Sequence, residues 1–242
     1  MIRWSAPCYP RMDDRTQAVH DVVAWTTLAP GECHAADSEP SGESAVVPVY
    51  GTVDCVDGED RSLAVGDVVY RPRGVAHTVR NAGSTDAHLL IVRAPTAAPR
   101  LDGRERGSLG PNAARVVRRQ NVRACRLESA MGFRGVESTL ALTAATVCSR
   151  DLLVGFARFK PNGAHALHRH LAAAEVLYIL EGEGCQHMGE ECPVALAQGD
   201  LTYVPAGEWH GFCNTSDRPA EVVFAYLGAA SIETDGYELY GS

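Results

Sequence analysis

A pattern of fixed residues runs through this chain twice. Gly66, Pro72, Gly74, His77 and Asn81 form the first copy, and Gly199, Pro205, Gly207, His210 and Asn214 repeat it at the same intervals. Gly51 and Gly182 stand in corresponding places ahead of each copy. A repeat of this length predicts two similar folding units, because each copy brings the same turn formers to the same offsets. Apolar stretches around the first copy are broken by Pro-Gly (30–31), Asp-Gly (57–58), Gly-Asp (66–67) and Asn-Ala-Gly (81–83), the punctuation of strands joined by hairpins. No long amphipathic helix is legible.

Ahead of the second copy lies a segment with chemistry. It reads Gly163, four residues, His168-Arg169-His170, four residues, Glu175, six residues, Gly182. On an extended strand residues two apart share a face, so His168 and His170 point one way and Arg169 the other. Glu175 opens a run of strand formers, Glu-Val-Leu-Tyr-Ile-Leu, and His210 arrives on a later strand after a Pro-Gly corner. Three nitrogens and one oxygen directed at one cavity make a ligand set for a divalent first-row transition metal.

These two segments resemble the paired signature motifs of the cupin superfamily. The second motif matches at every fixed position, and the first matches in ligand spacing, with its leading Gly one residue closer to the first His. The resemblance implies an all-β protein of two cupin barrels in tandem, each a double-stranded β-helix or jelly roll. It implies His168, His170, Glu175 and His210 as metal ligands. In the first copy only His77 survives: counting back from Gly51 puts Asp37, Glu39 and Ser44 where His168, His170 and Glu175 stand in the second. Glu43 or His34 could also lie near that pocket. The first barrel is therefore expected to be a structural partner with a degenerate motif. The expected division is an N-terminal cupin over 1–98, a linker rich in Arg, Pro and Gly over 99–135, and a metal-binding cupin over 136–242.

Composition narrows the partners. The net charge is −8 across 242 residues, which argues against nonspecific nucleic-acid binding. Arginines crowd 100–126, and the simpler reading of them is a solvated linker making salt bridges. No apolar run approaches the ~20 residues of a membrane span, and the N-terminus lacks the apolar core of a signal peptide, so no membrane partner and a cytoplasmic location are expected. Eight cysteines without a CxxC pair are expected to be free thiols. Faces left exposed by side-by-side barrels allow a homodimer.

For function, four protein ligands on a six-coordinate ion leave two positions for a small oxygenated substrate. The resemblance offers an Fe(II) dioxygenase acting on an enolic, aromatic or polyketide-like molecule as the first expectation. A non-redox isomerase, lyase or cyclase is the alternative, and a non-catalytic small-molecule-binding cupin is the third. Iron leads the expected metals, with Mn, Ni, Zn, Co and Cu open. Phe156, Phe159, Tyr178, Tyr203, Trp209 and Phe212 are candidates for the pocket wall. His165, Glu183, His187 and Glu208 lie near the motifs and Arg158 on the strand before them, but no general acid or base is assigned.

Overall fold

The computed structural model describes residues 16–19, 22–36, 42–56, 61–94, 114–126, 129–189 and 192–241. Among them the chain is nearly all strand; its one α-helix is the four-residue Ala144–Val147. The β-branched and aromatic runs that read as strands are strands, and their turns carry the glycines.

The chain divides into two compact units. One comprises Asp14–Val122 with Ala141–Leu153; the other contains Arg123–Leu140 with Val154–Ser242. In the first, a six-stranded sheet runs in the order Thr16–Val19, Val23–Leu28, Ala87–Arg93, Ser44–Tyr50, Val68–Arg71, Arg115–Val117. A four-stranded sheet runs Cys33–Ala36, His77–Asn81, Val53–Cys55, Arg61–Leu63. Both sheets turn apolar side chains inward: Leu28, Val46, Val69, Leu89 and Ile91 from the larger meet Val53, Leu63 and Val79 from the smaller. This is the two-layer jelly roll, in which each sheet covers the apolar face of the other.

In the second unit the strands follow one path: Val194–Ala197, Glu183–Met188, His210–Cys213, Leu152–His170, Ala220–Leu227, Ala174–Glu181, Leu201–Val204. Two further strands, Phe133–Leu142 and Tyr237–Leu239, also pair with Leu152–His170. Its interior is built from side chains such as Leu177, Ile179, Leu201 and Val222.

The repeated residues hold the same frame in both units. The Asn81 amide donates to the carbonyls of Leu28 and Thr85 while its Oδ1 accepts from Gly83 N–H. The Asn214 amide donates to the carbonyls of Phe159, Lys160 and Arg218 while its Oδ1 accepts from Ser216 N–H. Asp67 accepts from Ala64 N–H and Asp200 from Ala197 N–H, closing the same turn. Gly51 and Gly182 both take φ +83°, and a Cβ there would lie 2.8 Å from Ala87 Cα in one case and 3.0 Å from Ala220 Cα in the other. Only glycine combines that backbone with that clearance.

The compact units depart from the 1–98, 99–135, 136–242 division. Residues 141–153 belong with the first unit because the Glu43 carboxylate accepts the backbone N–H groups of Arg150 and Asp151, and also the Tyr70 hydroxyl. Within the stretch read as linker, Arg115–Val117 pairs with Val68–Arg71, and Arg118 forms a 2.7 Å ion pair with the buried Asp67. Cys33, Cys55, Cys148, Cys185, Cys192 and Cys213 are free thiols.

Asn81 and Asn214 are 1 % and 2 % exposed, so replacing either with Ala strands buried carbonyls and a buried N–H. Each substitution should cost about 2–3 kcal/mol, checked by urea unfolding monitored through tryptophan fluorescence.

Candidate metal centre

The last turn of the site is built by a bulge. Leu152–His170 pairs with His210–Cys213 with His165 opposite Phe212, then shifts register so that His168 stands opposite His210. Regular alternation would turn His165 and His168 to opposite faces. The extra residue re-aims the strand, so both line the same cavity and their rings stack at 3.6 Å. Glu175 enters from Ala174–Glu181, between Val204 and Tyr226.

Sequence reasoning groups His168, His170, Glu175 and His210, and the fold brings all four together. Their candidate ligand atoms lie within 4.8 Å of one another, and all four residues are buried. Glu175 Oε2 is 2.6 Å from His210 Nε2, 3.3 Å from His170 Nε2 and 3.8 Å from His168 Nε2. Donors around one ion with bonds of about 2.1 Å would stand roughly 3 Å apart when adjacent and about 4.2 Å when opposed, so this cluster is the right size for a single ion.

The Nδ1 edges explain why the Nε2 atoms face inward. His168 Nδ1 lies 2.8 Å from the Ala166 carbonyl and His210 Nδ1 2.9 Å from the Glu208 carbonyl. His170 Nδ1 lies 3.2 Å from Asp235 Oδ2. Each acceptor favours a proton on Nδ1, which would leave the Nε2 lone pair for a bound ion. The Nε2 atoms of His168 and His170 are buried and, beyond their 3.8 and 3.3 Å ion-pair contacts with Glu175, make no well-formed hydrogen bond in the protein. Buried imidazole nitrogens left unpaired in this way fit a metal ion as their missing partner.

Electrostatics follow from the same contacts. Burial holds His168 down at about 4, against the opposing pull of Glu175. Burial also disfavours the charged form of His170, but Asp235 and Glu175 outweigh it and raise this ring to about 9. Burial disfavours the Glu175 carboxylate, yet the His210 charge and the three imidazole contacts hold its pKa well below the ordinary value.

Asp235 was not legible in the sequence. It is 1 % exposed and reaches the site because Tyr237–Leu239 pairs with His168–His170, an association of a C-terminal segment with the motif strand. Tyr237 comes with it: its hydroxyl lies 3.2 Å from His165 Nε2 and donates to the Met131 carbonyl. Burial and the Asp235 and Glu175 charges push the Tyr237 phenol up to about 12.

Beside the four residues is a cavity of about 80 Å³, walled by Met131, Phe133, Leu177, Phe212, Phe224 and Tyr226, with Gln186, His165 and Tyr237 as polar points. Of the six aromatics expected in the wall, Phe159 and Phe212 line it, whereas Phe156, Tyr178, Tyr203 and Trp209 do not. Strand alternation accounts for two of these: Ala157 and Phe159 face the cavity, so Phe156 faces away, and Glu175 and Leu177 face it, so Tyr178 faces away. Trp209 instead packs under the Arg169 guanidinium, 4.5 Å from the ring centre. Of the proton-transfer candidates only His165 lines the cavity; Glu183, His187 and Glu208 do not, and Arg158 is exposed.

A duplicated jelly roll with a His-His-Glu-His cluster in its second copy defines a two-barrel cupin with one candidate metal centre. The Cupin_2 family, described as a cupin domain, matches residues 24–93 and 155–226, more than half of the sequence, and the chain belongs to this family. It is 30% identical over 108 residues to an oxalate-binding protein of Thermotoga maritima, a match covering 44% of this chain and 88% of that protein. In fold it is similar to the formate complex of Lactobacillus farciminis oxalate decarboxylase, with a TM-score of 0.65 and 13% identity over 90% of this chain and 78% of that one. A variant of Bacillus subtilis oxalate decarboxylase gives a TM-score of 0.65 and 17% identity over 95% and 76%. Another structure of the Bacillus enzyme concerns its Mn(II) centres. Among the described residues no helix is long and apolar enough to cross a membrane.

The raised pKa of His170 sets a pH dependence for ion uptake. Without an ion, His170 carries a second proton at neutral pH, and coordination through Nε2 must expel it. Affinity should therefore rise about tenfold per pH unit from roughly pH 6 to 8 and level off above about 9. Calorimetry in buffers of different ionisation enthalpy should find about one proton released per ion at pH 7. Asp235→Asn should weaken ion binding by about 10–100-fold and reduce that proton release; unchanged affinity would show that Asp235 does not support His170.

Proposed function

We propose that the second barrel holds one divalent transition ion through His168, His170, Glu175 and His210 and acts on a small carboxylic acid of the oxalate type. The observation that carries this reading is the convergence of three Nε2 atoms, each set by an acceptor on its Nδ1, with one carboxylate beside a small cavity. A bound ion would supply Lewis-acid polarisation and open positions for oxygen donors.

The chain's own residues supply the rest. Phe133, Phe212 and Phe224 exclude water from one side of the cavity and strengthen every electrostatic contact within it. Gln186 is 2 % exposed and lines the cavity, and its Oε1, without a partner in the protein, can accept a hydrogen bond from a protonated group of a bound molecule. His165, held far below the ordinary imidazole pKa mainly by burial, is neutral; with Tyr237 on its Nε2 it can accept or relay a proton at the cavity wall.

Cavity size favours a small substrate over aromatic or polyketide-like molecules. An apolar cavity of about 150 Å³ admits benzene, and this one is about 80 Å³. The relatives speak for oxalate and manganese, and none of them supports iron or dioxygenase chemistry for this chain. A second reading, oxalate binding without turnover, is favoured by the 30% identity to an oxalate-binding protein.

The test is to load the protein with Mn(II), add oxalate and follow formate and carbon dioxide with and without dioxygen. Formate production supports the enzymatic reading. Tight oxalate retention with no product selects the binding reading. Oxygen uptake with enolic or aromatic compounds, combined with indifference to oxalate, would overturn both. His168→Ala and His210→Ala should each lose the ion and any turnover, with metal content read by plasma emission spectrometry.

A further inference from the structure

The sheet that carries the candidate metal centre on its inner face carries a second group of reactive side chains on its outer face. Glu183–Met188 lies beside His210–Cys213, with Cys185 opposite Cys213, Gln186 opposite Phe212 and His187 opposite Gly211. Gln186 and Phe212 line the cavity, so the residues flanking them turn to the other side of the sheet. Cys185, His187 and Cys213 therefore share the outer face. All three are partly exposed, and both cysteines are free thiols.

The backbone already places the two sulfurs for a bond. Directly opposite residues of an antiparallel pair have Cα atoms about 4.5–5.5 Å apart and side chains on one face. A disulfide spans Cα separations of about 4.4–6.8 Å, so rotation of the two side chains is enough to close one here. Burial raises the Cys185 thiol pKa and the Cys213 charge adds to it, the mark of two thiols close together. A base stands beside them: Cys213 Sγ lies 3.7 Å from His187 Nε2. The residue opposite His187 is a glycine, so no side chain separates the ring from Cys213, its diagonal neighbour. On the flanking strands Ala195 is opposite Cys185 and Ala164 is opposite Cys213, and their methyl groups leave the thiols open on either side.

We propose that Cys185, Cys213 and His187 form a dithiol site that reduces hydroperoxides and closes to a Cys185–Cys213 disulfide. His187 accepts the Cys213 proton, and the thiolate attacks one oxygen of the peroxide. The O–O bond breaks, the departing oxygen takes the proton from His187, and Cys213 is left as a sulfenic acid. The Cys185 sulfur then attacks the Cys213 sulfur, and the sulfenic hydroxyl leaves with the Cys185 proton as water. The sulfurs lose two electrons and the peroxide gains them, so two thiols and one hydrogen peroxide become one disulfide and two waters. A dithiol reductant reverses the bridge by exchange. The site needs no ion in the second barrel.

The test uses the full-length protein loaded with zinc, which has no redox chemistry of its own. Reduced protein is treated with one equivalent of hydrogen peroxide at pH 7, alkylated, and cut after glutamate, which puts Cys185, Cys192 and Cys213 on separate peptides. Mass spectrometry should find the Cys185 and Cys213 peptides joined, and dithiothreitol should separate them. Cys192→Ser should form the same bridge, and Cys185→Ser should stop at a Cys213 sulfenic acid that dimedone traps. His187→Phe should slow bridging at pH 7 by roughly tenfold or more, and the deficit should close at alkaline pH, where thiols ionise unaided. Absence of the joined peptide, a bridge through Cys192 in its place, or an unchanged rate in His187→Phe would overturn the proposal.

Discussion

Each imidazole of the second barrel's cluster is held by its outer nitrogen. Two backbone carbonyls and one buried carboxylate occupy the Nδ1 edges of His168, His210 and His170, and this contact decides which lone pairs enter the cavity. The opposing protonation tendencies of His168 and His170 follow from the difference between a neutral carbonyl and a carboxylate in that role. Without these acceptors the rings could rotate or change tautomer, and the four residues would no longer direct their donor atoms at one point. The bulge between His165 and His168 belongs to the same device, since it turns the Ala166 carbonyl and both rings to where they are needed.

The two barrels separate frame from lining. The frame is made by residues that satisfy backbone groups: the asparagines with their carbonyl clamps, the aspartates that close turns, and the glycines at positive φ. These contacts are indifferent to what fills the barrel. The linings differ: the second barrel gathers three imidazoles and a carboxylate, and where Glu175 stands there the first carries Ser44, bonded to Arg71. What lines an interior of this shape is thus set by a few inward positions on its strands.

Much of this is legible in the order of residues. The duplicated turn pattern identifies two barrels, and strand alternation groups His168 with His170. Alternation also misleads, because it gives no way to place His165 beside His168; a register shift has no signature in the apolar pattern. Proximity in sequence to the motifs suggests six aromatics for the wall, and only Phe159 and Phe212 line the cavity. Phe133, Tyr226 and Tyr237 line it from strands remote from the motifs. The attachment of 141–153 to the first unit rests on the carboxylate of Glu43, more than a hundred residues away in the chain.

What the sequence determined by itself was therefore local and periodic: the strands, the glycine turns, the repeat, and the four residues whose spacing makes them candidate ligands. These depend on backbone geometry over a few residues, which the order of side chains encodes directly. Only the tertiary structure decided that Asp235 supports His170, that His165 joins the cavity, and that Arg71 bonds Ser44 in the interior of the first barrel. Those relations come from hydrogen-bonded register between distant strands, and register is a property of the assembled sheet, where each pairing is selected by all the others.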